Sequence, residues 1–458
     1  MNAVTVSTPR RYVDRGWPAV SATIGIEGKR YEIYCRASHG PLSTQVDPFL
    51  AVALLPAMRV GVPLRVQGAV SPLLLEHLTQ FQDIICTWYK TFRRIPVEAE
   101  PAQAVEWASE RGVGCFFSGG IDSFYSALKH REEIARLVFV HGFDITLGDT
   151  PLRAKVATAL HQAAAEMGKQ LLEVETNVRD LLDVYTDWDK DSHGTGLASV
   201  ALALAPQVSR IYIAATFPYT LLTPHGSHPL LDPLWSTGEL DIVHDGCEAS
   251  RWEKLESMLD NHTVRRYLHS CWEHPAGEYN CCRCKSCVLS MAFLRLHGVL
   301  DQFPAYDNPF DLDAMVRILR SDKTASLTVA QLYDAVQRQG TDPELAEALR
   351  STLKVDPARV ATGNTAPGPD AQAIVYMQTQ LQEANAQISL LEWRLHAGQA
   401  GNAEMAELRH QVRVARARVA RLRAQLYRLT SSISRRVTQP LRAARRALRA
   451  TRRETHDD

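Results

Sequence analysis

The octet Phe116-Phe117-Ser118-Gly119-Gly120-Ile121-Asp122-Ser123 constrains this chain more than any other stretch. An apolar run over 113–117 meets a Ser-Gly-Gly turn, which leads into a helix-forming segment, so the order is strand, glycine turn, helix start. Backbone N–H groups in a first helical turn have no intrahelical partners and carry the positive end of the macrodipole, which makes such a turn an anion site. Gly119 and Gly120 present no Cβ to hold a phosphate away. The hydroxyls of Ser118 and Ser123 add donors, and Asp122 is a candidate ligand for a magnesium ion that neutralises phosphates. No lysine follows the second glycine, which separates this turn from the GxxxxGK[ST] phosphate loop.

Around the octet the pattern alternates. Strands are expected at 113–117, 137–141, 171–175 and 211–215, with helices over 123–135, 151–168 and 195–208 between them. Such a series implies an α/β fold: right-handed crossovers, an open parallel sheet and helices on both faces, with ligands beyond the carboxyl ends of the strands. Residues 1–100 alternate instead in a strand-like way at 20–26, 31–35 and 64–70. Ser71-Pro72 then opens a helix carrying Leu75, Leu78, Phe81 and Ile85 at helical spacing. This segment reads as a small α+β domain ahead of a catalytic domain over 110–300, and 301–354 as a helical extension.

Two further stretches carry chemistry. The loop from Ala215 to Thr237 is long, rich in Pro, Gly and His, and too apolar for disorder. His225, His228 and Asp232 within it are candidates for substrate binding or proton transfer; the plain alternative is an Asp-Pro turn with histidines capping backbone groups. Downstream, Cys281, Cys284 and Cys287 form CxxCxxC, and Cys271 is the natural fourth ligand of a tetrahedral metal site. Cys282 competes with Cys281, and His269 and His274 are alternative ligands. Arg251 to Lys254 reads as a solvated helix face.

The octet resembles the SGGxDS loop of the PP-loop ATP pyrophosphatase superfamily, and the cysteine set is similar to that of its 7-cyano-7-deazaguanine synthases. The resemblance covers 110–300 and implies an adenine nucleotide alpha-hydrolase-like fold with ATP held across Ser118, Gly119, Gly120, Asp122 and Ser123. It further implies the adenine beside His141, Phe143 and Asp144, and a structural zinc on Cys271, Cys281, Cys284 and Cys287. The implied activity is adenylation of a small-molecule substrate with release of pyrophosphate, then displacement of AMP by a nitrogen or sulfur nucleophile. Two rivals remain: a tRNA-modifying thiolase whose cysteine carries sulfur, and a non-catalytic scaffold at a membrane.

Among 458 residues, hydrophobic types make up 45% and no apolar run approaches the length of a membrane span. The N-terminus lacks the apolar core of a signal peptide, and nine cysteines, four of them within 281–287, suit a reducing cytoplasm. The formal net charge of zero conceals a segregation: 409–453 holds 15 arginines and no Asp, Glu or Lys, leaving 36 basic against 51 acidic residues elsewhere. A Gly- and Pro-bearing linker over 355–371 precedes heptads over 372–438. Ile374, Leu381, Ile388 and Leu395 share one position, and after a break at Gly398 and Gly401 the series resumes at Met405, Val412, Val419, Leu426 and Ile433. A coiled coil and a homo-oligomer are the expectation. The arginine-rich tail over 439–458 is a candidate contact for an anionic membrane surface, on the inner face of the membrane, or for RNA. Residues 431–442 also resemble a tail of polysaccharide-assembly proteins.

Overall fold

The structure, a computed structural model, describes residues 3–103, 111–274, 277–321 and 326–353, together with helical positions 410–414, 418 and 421. Met1–Pro357 forms one compact unit and Ala358–Asp458 a second. Apart from those helical positions, the linker, the coiled coil and the arginine-rich tail expected over 355–458 lie outside the described residues.

The N-terminal part contributes β1 (Val4–Val6), β2 (Arg10–Asp14), β3 (Trp17–Ile26), β4 (Lys29–Ala37), α1 (Asp47–Val60), β5 (Leu64–Val70), α2 (Pro72–Trp88) and β6 (Val97–Pro101). It is followed by β7 (Gly112–Phe116), α3 (Ile121–Lys129), β8 (Ile134–His141), α4 (Thr150–Glu166), β9 (Gln170–Thr176), α5 (Arg179–Tyr185), α6 (His193–Ala203), β10 (Val208–Ala214) and β11 (Asp241–Asp245). Helices α7 (Arg251–Glu256), α8 (His262–Tyr267), α9 (Lys285–Leu296), α10 (Leu312–Ser321), α11 (Ser326–Gln339) and α12 (Pro343–Thr352) complete the unit.

Among the described residues the strands form one 11-stranded sheet in the order β11-β10-β7-β8-β9-β4-β3-β1-β5-β6, with β2 on β3. From β11 to β9 every pairing is parallel. Numbered within this half, the order is 3-2-1-4-5, that of a doubly wound sheet whose direction of winding reverses between β7 and β10. The sheet is mixed as a whole, because β9 pairs antiparallel with β4 through Cys35↔Thr176 and Ala37↔Val174. The strands of residues 1–100 thus extend the sheet of the α/β half instead of forming a sheet of their own.

Period-2 alternation sorts the side chains into two layers. Val138 belongs to the hydrophobic cluster that holds α1, α5 and α6, whereas its neighbours Leu137 and Phe139 belong to the one that holds α3, α4 and α9. Helix α1, buried along nearly its whole length, has no helical period to read because it is apolar all round. Covering helices on both faces belong to the parallel half. On β3 and β4 one face carries Ser21, Thr23 and Glu32, joined to each other and to Arg10 by hydrogen bonds.

Candidate functional site

The glycine turn leaves the carboxyl end of β7, where the winding reverses, and enters α3. Gly119 has φ 75°, a backbone conformation that calls for glycine, and a Cβ there would also crowd Leu160 Cδ2 at 2.8 Å. Ser118 Oγ lies 3.5 Å from Ser123 Oγ and accepts from Gly120 N at 3.4 Å, while Ser123 Oγ donates to Gly120 O at 3.0 Å. Among the described residues no side chain caps the start of α3. Its first N–H groups therefore face a cavity of about 420 Å³, lined on the loop side by Ser118, Gly120, Asp122 and Ser123.

Asp122 sits differently from expectation. Its Oδ1 accepts from Lys254 Nζ at 2.9 Å and its Oδ2 from Arg251 NH1 at 2.9 Å. Both oxygens are thus engaged by cations, one bond on each, and the carboxylate is tied to α7. The same contacts correct the reading of α7 as a solvated face: Lys254 is 1% exposed and also donates to Ala215 O at 2.6 Å, at the end of β10.

The segment after β8 divides. Phe143 and Asp144 line the cavity. His141, expected beside them, is buried and turned toward β9, with Nδ1 3.3 Å from Glu175 Oε2 and Nε2 3.0 Å from Thr146 O. That glutamate belongs to a buried group with Tyr34 and Arg36, so the ring of His141 joins the sheet's two halves and does not face the cavity.

The long loop divides too. His225 lines the cavity, its ring 6.4 Å from that of His193. His228 is buried against Trp88 at 4.8 Å and accepts from Leu230 N; burial pushes its pKa down to about 4. Asp232, fully buried, accepts from Ser227 Oγ at 2.6 Å and from His228 N at 3.2 Å, and pairs with His244 Nδ1 at 2.7 Å. Burial opposes charge on His244, but the Asp232 carboxylate, with Cys247 beside the ring, outweighs it and lifts the pKa to about 9. His228 and Asp232 therefore brace the loop, and neither lines the cavity. His193, which sequence reasoning missed, does: a Cβ on Gly194 would come within 2.4 Å of Gly226 O, and this close crossing of α6 with the loop sets His193 and His225 side by side. Trp188, its ring 4.9 Å from Phe143, continues the aromatic wall. Burial holds the pKa of His193 below its ordinary value.

Four thiols complete the site. Cys271, Cys281, Cys284 and Cys287 are buried with their sulfurs all within 4.8 Å of one another, a group that could hold a metal ion. Cys271 and Cys284 are 3.9 Å apart and Cys281 and Cys287 4.0 Å, against about 3.8 Å between sulfurs at the corners of a tetrahedron with bonds of about 2.3 Å. Backbone N–H groups of His274, Cys284 and Cys287 donate to Cys271, Cys281 and Cys284, stabilising thiolate charge. Cys282 takes φ 56°, where glycine is at ease, and directs its sulfur to Asn280 O at 3.6 Å, outside the group. His269 and His274 are not members either: His269 Nδ1 donates to Ser118 O and His274 Nδ1 to Glu278 O, each at 3.1 Å. His269 N also donates to Gly119 O at 2.8 Å, so the strand of chain leading into the knot is latched onto the glycine turn.

Comparison of the chain with protein-family models, with curated proteins and with solved structures gave no match.

Proposed function

We propose that the cavity binds ATP and that the protein is an AMP-forming synthetase of the PP-loop ATP pyrophosphatase type. One observation carries the reading: a glycine turn with two hydroxyls and a helix start that no side chain caps opens, at the point where the sheet reverses its winding, onto a cavity of about 420 Å³. That is the place and size at which doubly wound sheets take small ligands. The β- and γ-phosphates lie across Ser118 to Ser123, and Phe143 and Asp144 meet the base. Trp188, His193 and His225 are left for the acceptor substrate.

The chemistry follows from where charge accumulates. A carboxylate or amide oxygen of the acceptor attacks the α-phosphorus, the bond between α-phosphorus and the bridging oxygen breaks, and pyrophosphate leaves with the electron pair. A nitrogen or sulfur nucleophile then displaces AMP. Donors already aimed at the departing diphosphate stabilise the in-line transition state without reorganising. The four cysteines fit zinc, and a closed four-thiolate site there would tie Cys271, two residues past the His269 latch on the glycine turn, to Cys281, Cys284 and Cys287.

Incubation of the protein with ATP and fractionated metabolite pools tests the assignment. Formation of AMP and pyrophosphate in equal amounts is expected; ADP and phosphate would overturn it.

A further inference from the structure

We propose that Arg251 grips the diphosphate directly and that Asp122 serves to aim it, so that this loop binds its anion without a protein-held magnesium ion. The inference rests on the nucleotide reading above and assigns one of its working parts. The two cations on Asp122 have different duties. Lys254 is 1% exposed and spends its ammonium on Asp122 Oδ1 and Ala215 O, which fixes the carboxylate to the end of β10. Arg251 is 27% exposed and lines the cavity with Ser118, Gly120 and Ser123. A guanidinium has five N–H groups in a planar fork, and among the described residues Arg251 bonds only Asp122, through NH1. The remaining donors are those that suit phosphate oxygens.

Charge points the same way. Arg251, Lys254 and Asp122 together carry one net positive charge at the start of α3, where the helix dipole adds to it. A magnesium ion needs near-octahedral oxygen ligands, and a carboxylate whose charge is already offset by two cations on its oxygens is a poor one. A second observation marks the same wall as built for a ligand. His269 is 9% exposed and lines the cavity, and among the described residues its Nε2 has no partner while Nδ1 is held by Ser118 O. Buried orphans of this kind are satisfied by water or ligand.

Inorganic pyrophosphate titrated calorimetrically into the full-length protein in EDTA tests the proposal, with Arg251→Gln and Arg251→Lys alongside and thermal melts confirming that each variant is folded. Binding by the wild type in EDTA is expected, at least tenfold weaker in Arg251→Gln and intermediate in Arg251→Lys, whose ammonium cannot fork. Magnesium chloride alone is expected to give no binding heat. Binding that requires magnesium and is unchanged in Arg251→Gln would overturn this proposal and leave the nucleotide reading standing. Failure of pyrophosphate and ATP to bind under either condition would overturn both.

Discussion

Asp122 and Lys254 meet across 132 positions of sequence, and one of them is 1% exposed. Removing one member of such a pair strands the other charge, whereas removing both does not. Asp122→Ala is expected to cost about 3 kcal/mol in urea unfolding, most of it recovered in Asp122→Ala/Lys254→Met. An additive double variant would show that the pair is not coupled. The buried Asp232–His244 pair makes a statement about pH. The folded-state pKa of His244, about 9, lies above the unfolded value of about 6.5, so the stability it contributes is complete below about pH 6.5 and lost as pH rises through about 9. Unfolding free energy should decline over that window in the wild type, and His244→Gln should flatten the decline; an unchanged slope would count against the pair. Cys282 and Cys284 separate by backbone geometry. Cys284→Ser is expected to lose the metal, about one ion per chain by elemental analysis, and Cys282→Ser to keep it. Loss in both would place Cys282 inside the knot.

At the scale of elements, what could be read in advance was local. The turn at 118–120 and the four-cysteine spacing are both short, and the chemistry they require is carried by neighbours in sequence. Strands β7 to β10 were readable because each is an apolar run bounded by turn residues. Helix α1 was not, since a stretch apolar on every side carries no period. Strand β11 also escaped, being five residues long and ending in polar side chains. The contact of Arg251 with Asp122 was hidden for another reason: the two lie 129 positions apart, and only the strand order brings α7 beside α3. His141 stands at the end of β8 as expected, yet which way a ring turns there depends on β9 and on Glu175, which no local pattern encodes. His193 becomes visible only once the Gly194–Gly226 crossing is in place.

For the whole molecule, the pairing of β4 with β9 decides how the described part unfolds. Strands β1, β3, β4 and β5 share one hydrophobic cluster with α6 and β10, so residues 1–100 have no core of their own to melt separately. Calorimetry on Met1–Pro357 is expected to give one cooperative transition; a resolved early transition removed by truncating residues 1–100 would contradict the shared core. No helix among the described residues is long and apolar enough to cross a membrane. The most direct test of the central claim is a crystal structure of the protein with α,β-methylene ATP. Phosphates seated on the N–H groups of Gly120 to Ser123, with the base toward Phe143, are what the account requires. A nucleotide bound away from that turn, or a turn closed over by the His269 segment with the nucleotide excluded, would contradict it.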